Sequence, residues 1–210
     1  MADSHHPDDA RRRFLRGLAL APLVLATPTI FLARDVGLAE AMSLPPTPAC
    51  GDDDDDDPTP PQIEGPFFKP RSPRRTSLVE PPVAGAALAV TGRVLDTDCR
   101  PIANALLDVW QCDAAGHYDN AGFTLRGHQF TDHAGRYRLE TIVPGLYPGR
   151  TRHIHIKVQA ANRPALTTQL YFAGEPGNRR DRIFDPRLTL RGIEGDRGGA
   201  ATFDFVLDLR

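Results

Sequence analysis

The stretch that decides the fold is residues 151–160, Thr-Arg-His-Ile-His-Ile-Lys-Val-Gln-Ala. Side chains of a β-strand alternate between the two faces of a sheet. Alternation separates three polar side chains from three aliphatic ones, namely His153, His155 and Lys157 from Ile154, Ile156 and Val158. The aliphatic face must lie in the core, so the stretch predicts a strand with two imidazoles about 6.6 Å apart on its other face. On spacing alone, the simpler interpretation of that other face is the wet side of a half-buried strand.

Five other segments have the composition or the alternation of strands: 88–95, 105–111, 135–141, 167–172 and 201–209. The 18 Gly and 20 Pro of the chain favour turns and short elements. No helical period extends beyond two turns, and no Gly-rich phosphate loop follows a strand, which argues against the common nucleotide-dependent enzymes. The sequence therefore predicts an all-β fold, an antiparallel β-sandwich core with long loops.

The first 41 residues have the pattern of an export signal. Residues 11–16 read Arg-Arg-Arg-Phe-Leu-Arg, an apolar stretch follows over 17–32, and residues 39–41 have the small-x-small form of a cleavage site. The order Arg-Arg-x-Phe-Leu-Arg resembles the bacterial twin-arginine signal, which predicts a periplasmic or extracellular protein. Two prolines interrupt the apolar stretch, so no membrane span is expected after cleavage. The alternative is a basic amphipathic helix that anchors the chain to a surface.

A linker is predicted over 42–61, where six Pro accompany six consecutive Asp at 52–57. Such a composition is typical of a disordered, solvated segment, and consecutive Asp lack the spacing of a calcium loop. From residue 58 onward, 20 Lys and Arg face 16 Asp and Glu, without the dense basic cluster of a nucleic-acid-binding protein. We therefore expect one folded domain over 62–210 with no nucleic-acid partner, while a homo-oligomer stays open.

The three cysteines, Cys50, Cys99 and Cys112, leave one unpaired in an exported chain. If 87–95 and 105–112 form a hairpin, Cys99 lies near its turn and Cys112 lies about seven residues along the partner strand, at roughly 3.3 Å per residue. That separation exceeds the roughly 7 Å between Cα atoms that a disulfide tolerates. Cys50, on the predicted linker, is able to reach either one, so the pairing stays open.

Two of the four tyrosines lie in turn sequences near the histidine pair. Tyr147 lies between Gly145 and Pro148, and Tyr118 lies in a Gly-His-Tyr-Asp-Asn turn, so both phenols are expected on exposed loops. Two phenolates and two imidazoles suit a trivalent, oxygen-loving ion better than a soft metal. A phenol ordinarily has a pKa near 10, so the bound ion has to deprotonate it. The sequence predicts a metal site formed by Tyr118, Tyr147, His153 and His155.

Four sets of segments together resemble the intradiol ring-cleaving aromatic dioxygenases. They are 64–68 (Glu-Gly-Pro-Phe-Phe); 92–96, 100–105, 108–111 and 116–118; 141–155, which ends in His-Ile-His; and 167–172 (Thr-Thr-Gln-Leu-Tyr-Phe). They cover about residues 60–185 in the order of that family. The resemblance makes 62–210 the catalytic domain.

The resemblance implies a non-haem Fe(III) cofactor and no other. The implied iron ligands are Tyr118, Tyr147, His153 and His155, and the implied active-site partners are Arg150 and Gln169. The implied reaction cleaves a catechol-type ring between its two hydroxyls, inserts both atoms of O₂ and gives a muconate-type dicarboxylate, with Tyr147 displaced by the diol. Gln169 either hydrogen-bonds the reacting oxygens or positions Arg150.

Two departures and two other interpretations stay open. The N-terminal helical segment of catechol and hydroxyquinol dioxygenases is missing, which is closer to protocatechuate-type subunits and their exported single-chain relatives. Gly149 stands where protocatechuate enzymes tend to carry a bulky aromatic residue, so the diol itself is undecided. The competing functions are a non-catalytic exported β-sandwich binding module and a zinc-dependent hydrolase that uses the histidine pair. The charged run 179–182 is expected to be a solvated loop or a guide for an anionic aromatic acid.

Overall fold

The computed structural model describes residues 57–79 and 83–210 of the chain. The predicted signal peptide over 1–41 and most of the predicted linker lie outside the described residues. Within the part that is described, no helix has the length and apolarity needed to span a membrane.

The described residues form nine strands and two short 3₁₀ helices, which confirms the all-β class. The strands are β1 (Ala87–Asp96), β2 (Leu106–Trp110), β3 (Arg126–Phe130), β4 (Arg136–Ile142), β5 (His153–Gln159), β6 (Leu166–Ala173), β7 (Thr189–Glu194), β8 (Gly199–Thr202) and β9 (Phe205–Leu207). The 3₁₀ helices are Pro176–Arg179 and Pro186–Leu188. Five of the six predicted strands are present, the sixth is divided into β8 and β9, and β3 and β7 were not predicted.

The strands follow the order β3-β2-β5-β6-β7-β8-β1-β4, and β9 also pairs with β1. One layer contains β3, β2, β5 and β6, and the other contains β8, β1, β4 and β9. β7 links the two layers because it pairs with β6 on one side and, at Arg191 and Thr202, with β8 on the other. The prediction that all strands pair antiparallel is wrong for three pairs. The pairs β1–β8, β1–β9 and β6–β7 are parallel.

The predicted hairpin of 87–95 with 105–112 is wrong. β1 pairs with β4, β8 and β9, whereas β2 pairs with β3 and β5. Between them, Asp96 accepts hydrogen bonds from the backbone N–H groups of Asp98 and Arg100, and Cys99 and Asn104 adopt positive φ. This turn carries the chain from one layer to the other instead of reversing it within a layer.

The aliphatic face of β5 lies in the core, as predicted, because Ile154, Ile156 and Val158 are buried in the main apolar cluster. Its other face is not wet. His153 and His155 are each only 3% exposed. The interpretation of a half-buried strand is therefore wrong, because another segment of the chain covers the histidine side.

The last residues of the predicted linker also pack against the body. Thr59 N–H donates to the carbonyl of Val206 at 2.9 Å, and Val206 N–H donates to Thr59 Oγ1 at 2.8 Å. The hydroxyl of Thr168 donates to the carbonyl of Pro60 at 2.8 Å. The folded body thus includes residues before Gln62.

The cysteine pairing is clear for the two cysteines within the described residues. Cys99 is disulfide-bonded, whereas Cys112 is free and buried. Cys50 lies outside the described residues. Cys112 is therefore the unpaired cysteine.

Candidate metal centre and active site

The site is built on one row of side chains that crosses four neighbouring strands. Trp110 of β2 lies opposite Arg126 of β3 and, on its other side, opposite His155 of β5, which lies opposite Gln169 of β6. Directly paired residues project from the same face of a sheet. The four side chains therefore share the face that points away from the apolar core, and all four are buried.

The segment 62–69, called here the covering segment, lies over this row. At one end Gln169 Nε2 donates to the carbonyl of Ile63 at 2.9 Å, and at the other the Arg126 guanidinium donates to the carbonyl of Phe67. Between them the Cα of Gly65 lies so close to the imidazole of His155 that an added Cβ would be 3.3 Å from Cε1. Phe68 packs against Trp110, so each member of the row has a contact above it, and the histidine part of the polar face of β5 is shielded from solvent.

Charged groups hold the covering segment from its outer side. Lys157 forms an ion pair with Glu64 and lies 3.9 Å from the ring centroid of Phe68. Lys69 Nζ donates to three consecutive carbonyls, those of Asn120, Ala121 and Gly122, at 2.7–3.3 Å. These contacts fix the segment to β5 and to the loop that carries Tyr118.

The structure brings the four predicted ligands together. The hydroxyl of Tyr118 lies 3.3 Å from Nε2 of His153. The ring centroids of His153 and His155 are 4.8 Å apart, and those of Tyr118 and Tyr147 are 5.8 Å apart. Residues far apart in the sequence, one tyrosine before β3 and one before β5, thus meet at the histidine end of β5.

Both tyrosines are half-buried rather than exposed on loops, so that expectation needs correction. Phe67 of the covering segment stacks on Tyr118 with centroids 4.2 Å apart and packs edge-on against Tyr147 at 5.4 Å. Burial raises the pKa of the Tyr118 phenol well above its ordinary value. A neutral phenol is therefore the stable form here unless a cation binds it.

The two tyrosine loops are packed together through their backbones. Asp113 Oδ1 accepts the backbone N–H groups of Ala115 and His117, which shapes the turn before Tyr118. Gly116 has φ of +87°, and an added Cβ would lie 2.4 Å from the carbonyl oxygen of Leu146. Only glycine permits this approach, so the local sequence sets the distance between the Tyr118 and Tyr147 loops.

Both histidines are held as neutral imidazoles. Nδ1 of His153 lies 2.7 Å from the carbonyl of Thr151, which only accepts, so Nδ1 carries the proton and Nε2 presents a lone pair toward Tyr118. Burial lowers the pKa of His153 to about 4 and lowers that of His155 well below its ordinary value. Nδ1 of His155 is fully buried and has no hydrogen-bond partner among the described residues.

These donors fit a ferric ion. Two neutral imidazoles lie side by side, one phenol hydroxyl contacts the first of them, the second phenol packs beside the first, and one buried imidazole nitrogen has no partner in the described part of the chain. In residues 57–79 and 83–210, no three His, Cys, Asp or Glu side chains come together as a metal site, so neither thiolates nor carboxylates complete the set. Hard phenolate oxygens with imidazoles favour a highly charged ion.

Arg150 and Gln169, predicted as partners, are in direct contact. Arg150 Nη2 donates to Gln169 Oε1 at 2.7 Å. The hydroxyl of Tyr171 also donates to Gln169 Oε1, at 3.2 Å. Since Gln169 Nε2 is bonded to Ile63, the amide is engaged on both sides and holds Arg150 and the covering segment together.

Sequence reasoning missed three residues of the site: Asp181, Arg126 and Phe67. Asp181 was expected in a solvated loop, but its side chain is 3% exposed and accepts from Arg150 Nε at 2.8 Å. Arg126 is buried, and its Nη2 has no partner in the described part of the chain. The apolar Ile183 and Phe184 that follow the charged run were the one sequence signal that this loop packs inward.

Fold and site together define a β-sandwich that groups two histidines with two tyrosines, and the comparisons with known proteins identify its family. The sequence model of the family described as Dioxygenase matches residues 63–208. The dioxygenase domain of a dioxygenase carbohydrate-binding protein fusion from Streptomyces sp. SirexAA-E is 57% identical, with a TM-score of 0.70 over 73% of this chain and 100% of that chain. The chain belongs to the intradiol dioxygenase family.

Two further relatives show how much of the chain is shared. The protocatechuate 3,4-dioxygenase beta chain of Burkholderia cepacia is 39% identical over 118 residues, which is 48% of this chain and 50% of that protein. The 3-chlorocatechol 1,2-dioxygenase of Rhodococcus opacus 1CP is 30% identical, with a TM-score of 0.64 over 71% of this chain and 72% of that chain. The chain spans about half the length of these two kinds of curated relative, the protocatechuate 3,4-dioxygenase beta chain of Burkholderia cepacia and the catechol 1,2-dioxygenase of Candida albicans.

Proposed function

We propose that the protein is a non-haem Fe(III) intradiol dioxygenase that cleaves a catechol-type ring between its two hydroxyls. The observation that carries the proposal is a cluster in which the Tyr118 hydroxyl lies 3.3 Å from His153 Nε2, with the His155 ring beside His153 and the Tyr147 ring beside Tyr118. These four side chains would hold the iron. When bound, the iron supplies a Lewis acid for the deprotonated diol and makes its ring electron-rich enough to react with O₂.

The reaction balances without a further reductant. One molecule of catechol and one of O₂ give one muconic acid; the carbon–carbon bond between the hydroxyl-bearing carbons breaks, and each of these carbons gains one oxygen atom. The diol loses its protons before it reacts, so the site needs a proton acceptor. Tyr147 suits this role for one of the two protons because it packs only edge-on against Phe67 at 5.4 Å, whereas Tyr118 is stacked under Phe67 at 4.2 Å and its hydroxyl contacts His153.

Arg150 is suited to stabilise negative charge that develops on the ring. A guanidinium cannot lose its proton in a protein, so its charge is permanent. Arg150 is held through Nε and Nη2, its Nη1 has no partner among the described residues, and its side chain is 19% exposed. A fixed donor that faces developing charge lowers the barrier without reorganisation.

Gln169 has the second of its two expected roles. Its oxygen accepts from Arg150 and Tyr171, its nitrogen donates to Ile63, and the side chain is fully buried. The amide oxygen is fully engaged by Arg150 and Tyr171, and one of the two Nε2 hydrogens is committed to Ile63. The contacts favour Gln169 as the residue that positions Arg150.

The substrate class is proposed from the relatives and from the rim of the site. The names of the compared relatives refer to protocatechuate, catechol, chlorocatechol and hydroxyquinol, all dihydroxylated rings or their derivatives. At the rim, an added Cβ on Gly149 would meet no atom within 4 Å, which leaves space beside Arg150. The proposed substrate class is therefore an aromatic ortho-diol, and we expect substituted rings to be accepted.

The competing functions have less support. A zinc hydrolase commonly combines histidines with a carboxylate ligand or base, and the described residues place no carboxylate with the histidine pair in a metal-binding group. A binding module has no need of neutral, buried imidazoles beside half-buried phenols.

Export through the N-terminal signal belongs to the same proposal. The disulfide at Cys99 supports it, because disulfides persist in oxidising compartments outside the cytoplasm. Cell fractionation and N-terminal sequencing of the mature protein test this part; an intact residue 1 in a protein confined to the cytoplasm would contradict it.

The test of the activity is product analysis under ¹⁸O₂. The iron-loaded protein is expected to convert catechol to cis,cis-muconate with one ¹⁸O atom in each new carboxylate. His155→Ala is the matched negative variant, since it removes one proposed ligand. A product cleaved outside the two hydroxyls, or turnover that survives the loss of His155, would contradict the proposal.

A further inference from the structure

We propose that Asp181 is the positioning residue for Arg150: it holds the guanidinium with one nitrogen, Nη1, directed to the substrate. This inference rests on the proposed function and adds a residue to it. The charged run 179–182 was expected to interact with solvent or with an anionic substrate. The structure gives Asp181 a different place, beneath the arginine and away from the solvent.

The carboxylate of Asp181 is fixed by three donors. Its Oδ2 accepts from Arg150 Nε at 2.8 Å and from the backbone N–H of Thr151 at 2.9 Å, and its Oδ1 accepts from the backbone N–H of Ile183 at 3.2 Å. The side chain is 3% exposed. Because two of these donors are backbone groups, the carboxylate has one orientation and offers a rigid anchor to Arg150.

Arg150 is consequently held along two sides of its planar fork. Asp181 binds Nε, and Gln169 binds Nη2 at 2.7 Å, with Tyr171 in contact at 3.4 Å. A guanidinium held at Nε and at one terminal nitrogen can no longer rotate about its long side chain. The other terminal nitrogen is left as the free donor.

A second buried ion pair lies two residues further along the chain, between Arg152 and Glu175, and it has no role in orienting Arg150. Arg152 pairs with Glu175 at 2.6 Å, with both side chains nearly buried, and it also donates to the carbonyl of Pro144. No hydrogen bond joins Arg152 to Gln169 or Tyr171. The Arg152–Glu175 pair is therefore a matched control with the same chemistry and burial but without contact to the Arg150 network.

The experiment is a double-mutant cycle between Asp181 and Arg150. Turnover per bound iron is measured for the wild type, D181N, R150Q and the double variant, and the same cycle is made with E175Q in place of D181N. Positioning predicts that D181N lowers kcat about tenfold with less than a threefold change in KM, since the lost contact acts on the transition state. In the R150Q background D181N is expected to have less than a twofold effect, because the residue acts only through Arg150.

A second readout follows the arginine itself and needs no iron. The ¹⁵Nε–¹H group of Arg150, identified by its loss in R150Q, is expected to exchange slowly in the metal-free wild type and in E175Q, and to lose its protection in D181A. The Nε–H of Arg126, which donates to the carbonyl of Asp119 at 3.1 Å, is the internal control for an intact fold and keeps its protection in D181A.

Two results would overturn the inference. One is that D181N lowers kcat by the same factor in the R150Q background as in the wild type. The other is that the Arg150 Nε–H stays protected in D181A. In both cases the wild type still produces muconate, so the proposed function stands. A wild type with no intradiol product overturns the proposed function instead, whatever the exchange data show.

Discussion

The indole of Trp110 lies parallel to the imidazole of His155, with ring centroids 4.9 Å apart and planes inclined by 6°. Phe68 of the covering segment packs edge-on against the same indole at 4.9 Å. Trp110 is 2% exposed, and one of its faces supports a proposed metal ligand. A flat ring against the imidazole limits its rotation, so Trp110 sets the plane in which His155 would meet the proposed metal.

Replacing Trp110 is therefore expected to weaken iron retention as well as the fold. Trp110→Leu removes the flat surface and should lower the free energy of unfolding by about 2–3 kcal/mol. Trp110→Phe keeps a ring against His155 and serves as the control. Chemical denaturation of the metal-free proteins and iron loss to a chelator measure the two effects; equal iron retention in all three proteins would refute the role of the indole.

The single tryptophan of the chain also makes the site visible by fluorescence. Because the indole stacks on a proposed ligand, iron should quench its emission, and removal of iron by a chelator should restore it. The reference is His155→Ala, in which added iron should leave the emission unchanged. Emission of the wild type that does not respond to iron would contradict the proposed position of the metal beside His155.

Gly65 is expected to tolerate no side chain, for two separable reasons. Its φ is +72°, and an added Cβ would lie 3.3 Å from His155 Cε1. Gly149 has φ of +82° but nothing within 4 Å, so Gly149→Ala measures the backbone strain alone. Gly149→Ala should cost about 1 kcal/mol, and Gly65→Ala should cost more and also weaken iron retention. Equal losses of stability, with unchanged iron affinity in both, would show that the covering segment does not press on His155.

Cys112 is expected to be unreactive in the folded protein. Burial raises the pKa of its thiol from 9.0 to about 11, so at pH 8 the reactive thiolate is about a hundredfold scarcer than for an ordinary cysteine. Alkylation at pH 8, followed by peptide mapping, should label Cys112 in denaturant but not in the native protein. Labelling at the same rate in both states would contradict its burial.

The Asp181–Arg150 pair predicts a specific dependence of stability on pH. Burial raises the pKa of Asp181, but the hydrogen bonds from Thr151 and Arg150 outweigh it and leave the pKa below its ordinary value. The pair's contribution is therefore fully present above about pH 4, the unfolded-state pKa, and is lost as the pH falls through the folded-state pKa. D181N should cost about 3 kcal/mol at pH 7, and the difference should shrink below pH 4. Denaturation at pH 7 and pH 3 measures it; a difference that is equal at both pH values would argue against a stabilising ion pair.

Alternation and loop composition singled out the four proposed ligands, and the family resemblance grouped them into one site. The strict period of β5 placed His153 and His155 on one face, and the turn residues around Tyr118 and Tyr147 placed both phenols on loops near it. Alternation along a strand cannot show whether another segment of the chain covers its polar face. The burial of that face depends on the covering segment, which lies some 90 residues earlier in the sequence and has no strand pattern of its own.

Local features of the sequence explain why β3 and β7 were not predicted and why the predicted strand over 201–209 is divided. β3, Arg-Gly-His-Gln-Phe, lacks β-branched residues and is a strand because it pairs with β2, while Arg75 N–H donates to the carbonyl of His128 at 2.8 Å on its other side. β7 contains Gly192 at φ of +84°, an interruption typical of a turn. The predicted strand over 201–209 is broken because the carbonyl of Phe203 lies against Gly92, where a Cβ would approach within 1.8 Å.

The direction of β8 relative to β1 and the burial of the Asp181 carboxylate also could not be predicted from the sequence. Whether β8 runs parallel to β1 is decided by the connections between them, and single-strand patterns carry no information on direction. Asp181 lies in an arginine-rich run that is typical of a solvent-exposed loop. Thr151, Arg150 and Ile183 nevertheless donate hydrogen bonds to its carboxylate. Its burial follows from those tertiary partners.

The most direct test of the account is the visible spectrum of the iron-loaded protein, recorded without O₂ before and after catechol is added. A ferric ion held by phenolates should give a red-brown protein with a tyrosinate absorption band that shifts when the diol binds, and Tyr118→Phe should alter that band at unchanged folding. A colourless protein that retains stoichiometric iron, with no change on addition of catechol, would contradict the account.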